Sequence, residues 1–213
     1  VETFVWLPAE DPAEPAAGML TFDELAACRT PFNVQGREAV QALLGLIPPW
    51  AKDPAIGGKL VNARAETVMD KPAFRDAFRS RRCIVPVTSI DRWRRRDGSG
   101  RPHVLIRRRD GTAMGLAGLW STWTDPTVGD EVTTFAVITC AANALLAELH
   151  DRMPVILDPV DYNLWLDPAR GGQELLRPCP EAWLEVVPLE NKGRGEATGR
   201  QGREGSATQG RLF

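Results

Sequence analysis

The 213-residue chain has no apolar run approaching the roughly 18–20 residues that cross a bilayer, so no membrane partner is expected. Histidine is scarce, at two residues, and the four cysteines, Cys28, Cys83, Cys140 and Cys179, are widely spaced without a C-x-x-C pair. Zinc sites need clustered Cys and His, and disulfide scaffolds need dense Cys, so neither a metal nor a disulfide framework is implied. No cofactor motif stands out either. Cys83 and Cys140 sit in apolar surroundings and read as buried thiols. Val1 to Gly18 holds acids and prolines in place of the basic-then-apolar order of a secretory signal, so a cytoplasmic protein is expected.

What is present is ordinary in amount and uneven in distribution. The apolar fraction of 43% and charged fraction of 25% are those of a globular domain. The net charge is −2, yet Val1–Trp50 carries seven acids against two bases while Lys59–Arg109 carries fifteen bases against five acids. A basic middle in a mildly acidic chain suits a local anionic partner. The alternative is a set of solvated arginines at element ends.

Turn and cap signals divide the chain. Thr21-Phe22-Asp23-Glu24 reads as a capping box opening a short helix through Cys28. The apolar run at Leu43–Ile47 is stopped by Pro48-Pro49 and followed by a loop. Asp70-Lys71-Pro72 predicts a helix start, with Phe74 and Phe78 four apart on one face. "RCIVPV" is a short strand, and "PHVLIRRRDGTAMGLAGLW" predicts two strands joined as a hairpin at Asp110-Gly111. "VTTFAVITC" predicts a strand leading into the helix "AANALLAELH"; Asp158-Pro159 caps a helix through Leu166, and "WLEVVPL" is a last strand. Residues 190–213 are Gly, charged and small polar residues and predict a disordered tail after a single domain spanning 1–189. The order of elements predicts an α+β fold with a mainly antiparallel sheet.

Several stretches could carry chemistry. Asn62-Ala63-Arg64-Ala65-Glu66-Thr67 is a polar cluster, His150-Asp151-Arg152 closes a predicted helix, and Trp50 follows two prolines. Ser89–Arg96, "SIDRWRRR", packs four arginines around Trp93. Each has a plain explanation alone: a turn Asn, a His favoured by a helix C-terminus, a loop Trp, a solvated basic face.

Taken together, "GLIPPWAKDPAIGGKLVNARAETVMDKPAFRDAFRSRRCIVP", "AGLW", "ITCAAN" and "LHDRMPVIL" follow one another in the order and spacing of the SRAP family, the SOS response-associated peptidase domain. The resemblance covers about residues 41–168, with residues 1–40 divergent. It implies a partly barrel-shaped antiparallel core flanked by helices, and binding to single-stranded DNA at abasic sites, whose open sugar presents an aldehyde. In the family an N-terminal Cys supplies an amine and a thiol that close a thiazolidine ring on that aldehyde, and can release a propeptide. An α-amine with a pKa near 8 is partly neutral at pH 7 and can attack a carbonyl. By the resemblance, Asn62 and His150 fall on active-site positions. Arg64 and Arg152 match arginines that hold phosphates, and Trp50 matches an aromatic near the base-stacking surface.

Two stretches depart from the family. Arg81–Trp93 reads "RRCIVPVTSIDRW" against roughly "RRCLIPADGFYEW", which puts Arg92 on the catalytic Glu and Ser89 on a Gly. A guanidinium cannot trade the proton that Glu handles, although Arg92 would suit a phosphate. Asp91, one residue earlier, belongs to the opposite strand face. At the start, aligning Phe4 with the family Phe places Val1 on the cysteine. The resemblance therefore implies a monomeric binder of single-stranded or abasic DNA in the damage response, with impaired cross-linking. A reversible Schiff base through the Val1 amine would survive. The alternatives are an active family member whose N-terminus lies elsewhere, a hydrolase pairing His150 with Thr139 or Ser89, and a binding module with an unrelated partner. No Ser/His/Asp or Cys/His constellation can be assigned from the residues for the hydrolase.

Overall fold

A computed structural model describes residues 2–8, 32–34, 37–93 and 103–189. The capping box at Thr21–Glu24, its helix, Val1, Arg94–Arg96 and the tail from 190 lie outside the described residues.

The described elements are strands β1 (Glu2–Pro8), β2 (Phe32–Val34), β3 (Arg37–Leu44), β4 (Asn62–Arg64), β5 (Arg82–Val87) and β6 (Ile90–Trp93). They continue as β7 (His103–Arg108), β8 (Met114–Thr124), β9 (Glu131–Ala141), β10 (Arg152–Pro154), β11 (Ile156–Leu157) and β12 (Leu184–Leu189). Three short helices, α1 (Arg75–Ser80), α2 (Ala144–Ala147) and α3 (Tyr162–Leu166), lie between them. The fold is α+β with a mainly antiparallel sheet.

The larger sheet closes on itself. Its path runs β10-β9-β3-β1-β5-β8-β11, and β9 also pairs with β8, so β3, β1, β5, β8 and β9 form a ring. Closure removes the open edges that a flat sheet would expose. Ile84, Leu116, Leu119, Phe135 and Ile138 are essentially inaccessible to solvent. Most pairs are antiparallel; β9 runs parallel to β3 and to β4. A smaller sheet, β12-β7-β6, stands apart in pairing.

The predicted hairpin at Asp110-Gly111 is not formed. β7 and β8 exist as strands, but β7 pairs with β6 and β12 while β8 belongs to the large sheet. Both edges of β8 are already filled: β5 takes Met114–Leu119, and β9 and β11 take the other side. Asp110 still makes a tight local turn, accepting from the backbone N–H and hydroxyl of Thr112 and from the Arg108 guanidinium. Those contacts, Arg108 foremost, hold its carboxyl below the usual carboxylate range. The turn therefore hands the chain from one sheet to the other.

The predicted helix after β9 is also shorter than its sequence suggests. Asn143 caps it by accepting from the Leu146 N–H at 3.0 Å, and the helix ends at Ala147. The helix predicted from Asp70 begins with a turn, and its regular part is α1, with Phe74 and Phe78 both buried as their spacing predicts. Asp158 caps the segment leading into α3 by accepting from the Val160 N–H.

Candidate DNA-binding site

The polar cluster is organised by the C-terminal half of β9. Asn62 stands opposite Val137, Arg64 opposite Thr139, and Arg152 opposite Ala141. Three residues distant in sequence thus meet around one short strand segment. Ala63, between Asn62 and Arg64, is fully buried, so the latter two share the outward face of β4. The Asn62 Oδ1 is buried and takes no hydrogen bond, although buried acceptors are nearly always satisfied.

Arg152 is held differently from a free phosphate clamp. Its Nη1 donates to Glu66 Oε1 at 2.6 Å and its Nη2 to Glu66 Oε2 at 2.9 Å, a bidentate pair. Nη2 also donates to the Thr139 carbonyl at 2.6 Å, which ties β10 to β9. The Arg152 contact holds the Glu66 carboxyl below its ordinary value. Arg64 is exposed and forms no ion pair among the described residues, so it is the arginine whose fork is open to an anion.

His150 follows α2, with its side chain part-exposed at 42%. Its Nδ1 lies 3.0 Å from the donating Arg152 N–H and 2.8 Å from Asp151 Oδ1. One nitrogen cannot accept from the first and donate to the second at once, so the Arg152 hydrogen bond requires an Nδ1 without a proton. Neither contact uses Nε2.

The remaining candidates stand elsewhere. Trp50 is 58% exposed at the tip of the Pro48–Ala51 turn, which is anchored where the Trp123 indole N–H donates to the Ala51 carbonyl at 2.7 Å. Arg92 lies in the smaller sheet with its backbone opposite Val104, so its strand is not one of those that position Asn62 and His150. Thr139 is buried, and its hydroxyl is directed to the Ala63 carbonyl, which leaves it poorly placed as a nucleophile. Cys83, Cys140 and Cys179 are buried; burial pushes the Cys140 thiol up to about 11 and the Cys179 thiol to about 12. Glu66 belongs to the polar cluster without a role assigned to it from sequence, and the structure pairs it with Arg152. Its signal was the alternation Asn62, Arg64, Glu66, but its partner lies 86 positions away. Among the described residues no group of three or more Cys, His, Asp or Glu could hold a metal.

A partly closed antiparallel barrel with this polar cluster beside one strand defines the class to which the molecule belongs, and sequence comparison agrees. The family model described as SOS response associated peptidase (SRAP) matches residues 10–192. The chain belongs to the SRAP family. The abasic site processing protein YoqW of Bacillus subtilis is 42% identical over 151 residues, covering 69% of this chain and 67% of that protein. The abasic site processing protein HMCES of Gallus gallus is 28% identical, covering 63% of this chain and 48% of its own length. Among solved structures, a protein from Bacteroides thetaiotaomicron superposes with a TM-score of 0.69 at 31% identity, covering 72% of this chain and 70% of that one. A protein from Bordetella bronchiseptica gives 0.66 at 25% identity, covering 87% and 99%.

Proposed function

We propose that this protein binds single-stranded DNA at abasic sites, as a SRAP member of the damage response whose covalent chemistry is impaired. Its relatives are named abasic site processing proteins. The observation that carries the reading is the pairing of a buried, unpartnered Asn62 Oδ1 with an uncommitted Arg64 on one strand face. Asn62 would accept from the sugar, Arg64 would hold a flanking phosphate, and His150 would move a proton at Nε2. Trp50 would stack on a base. Arg152 would act mainly by fixing β10, and through it His150, with Glu66 as its anchor.

The impairment rests on two features. Arg92 occupies the position of the family's proton-trading Glu and cannot perform that task. Of the cysteines, Cys83, Cys140 and Cys179 are buried thiols, held in the protonated state that does not attack. An amine could still form a reversible imine with the sugar aldehyde.

Fluorescence anisotropy with an oligonucleotide bearing one abasic site tests the binding. Affinity should fall steeply with salt, and Arg64→Ala should weaken it and flatten the log–log salt slope by about 0.7, the value for one single-strand phosphate contact. Salt-independent affinity, or an unchanged slope in Arg64→Ala, contradicts the reading.

A further inference from the structure

A second cavity lies away from the Asn62 cluster, between the Trp50 turn and the segment that carries α1. It has a volume of about 490 Å³, within the range of small-ligand sites. Its position follows from strand register: Ser121 in its wall stands opposite Thr134 on β9, whereas Asn62 stands opposite Val137 on the same strand. Three residues of strand separate the two levels, about 10 Å. The cavity is therefore distinct from the cluster.

Its lining is built for a flat, polar-edged group. Trp50 stands at the rim with more than half its surface exposed, and Pro48, Pro49 and Pro72 supply stiff walls. Ser121 is fully buried, and its Oγ has no hydrogen-bond partner. Arg81 also lines the cavity, and its Nε is buried without an acceptor. These two are neighbours by construction, because the Trp120 N–H donates to the Arg81 carbonyl at 2.9 Å. Asp76, on α1, supplies a carboxylate on the same cavity, with Arg75 3.5 Å away as its ion-pair partner. Buried polar atoms without partners in a cavity wall carry a cost that a ligand removes.

Resting on the DNA-binding reading above, we propose that this cavity holds a base of the bound strand, and guanine in preference to the others. Guanine alone offers two adjacent acceptors, O6 and N7, to a guanidinium, together with donors at its other edge for a carboxylate. Arg81 reads the O6/N7 edge, Asp76 accepts from the donor edge, Ser121 completes the set, and Trp50 covers the ring face. The protein then prefers abasic sites with a guanine at one fixed distance along the strand.

The test uses the full chain and dT oligonucleotides with a central tetrahydrofuran abasic analogue, in which a single dG replaces dT at each nearby position in turn. At one offset dG should raise affinity about five- to tenfold over dT, as expected for a good base-edge contact. Replacing that dG by 7-deaza-dG, which lacks N7, should remove most of the gain without touching the protein. Arg81→Met should bring the dG-to-dT ratio to about one. A salt-sensitive all-dT complex with no gain from dG at any offset overturns the cavity proposal and leaves the DNA-binding reading standing. A gain that survives both 7-deaza-dG and Arg81→Met also overturns it, because stacking alone then explains the preference. If none of the strands binds, both proposals fall.

Discussion

At the residue scale, the exposed polar cluster depends on a pair that composition could not reveal. Glu66 and Arg152 are separated by 86 positions and meet only because β4 and β10 flank the same end of β9. The Glu66 side chain is 53% exposed, so the pair contributes no more than about 0.5 kcal/mol. Its pH dependence has a definite sign. The folded-state pKa of Glu66 is lowered from 4.5 by the Arg152 hydrogen bond, so the contribution is complete above that value and is lost as pH falls through the folded pKa. Thermal melts should show Glu66→Gln slightly less stable than wild type at pH 7, with the gap closing under acid. A constant gap across the range would mean that the effect is packing, not charge. Asn62, Arg64 and His150 were legible in the sequence because they lie in long family motifs. Arg152 was legible as a position, but its commitment to Glu66 was not, since a motif carries no contacts.

At the scale of elements, local signals located β5, β7, β8, β9, β12 and the Asp158 cap, missed β1 to β4, and said little about pairing. "RCIVPV", "VTTFAVITC" and "WLEVVPL" are strands as their β-branched content predicts, and Asp158 caps as expected. The Asp110-Gly111 pair makes its turn, yet the flanking strands part because β8 has no free edge, which is a property of the whole sheet. The Trp50 loop shows the same limit. Gly45 has φ +115°, and a Cβ there would come within 2.7 Å of the Gly57 carbonyl oxygen, so two backbone segments touch at the base of the loop. No local pattern announces that approach. Arg82 is the clearest case: it belongs to the basic middle, where arginines at element ends read as solvated, but it is buried. Its guanidinium donates to the carbonyls of Phe78, Trp165, Asp167, Arg170 and Gly171, clasping the loop after α3 to β5. Arg82→Met should cost about 3 kcal/mol or more, because it leaves those carbonyls without their donor. Denaturant unfolding measures it; a loss below about 1 kcal/mol would show that the clasp is incidental.

At the scale of the whole molecule, the uneven charge has a structural meaning. Part of the basic middle is spent internally, on Arg82 and on the Arg108–Asp110 and Arg107–Glu185 pairs. Arg64 stays open to solvent, and Arg81 keeps a buried donor without an acceptor. That remainder, with a net charge near neutrality, suits the single strand proposed above as partner. The barrel was legible through β5, β8 and β9, which the family motifs reach, and not through β1 and most of β3, which lie in or beside the divergent residues 1–40. The proposed impairment rests chiefly on a single position, Arg92, whose strand lies in the smaller sheet and outside the ring. The most direct measurement is a denaturing gel of the protein with an abasic single-stranded oligonucleotide, run with and without borohydride, beside a native binding assay. The account predicts salt-sensitive native binding, no denaturation-resistant band without reductant, and at most a faint band when borohydride traps an imine. A strong band without reductant would mean that a working thiol completes the cross-link, and would contradict the claim that covalent chemistry is impaired.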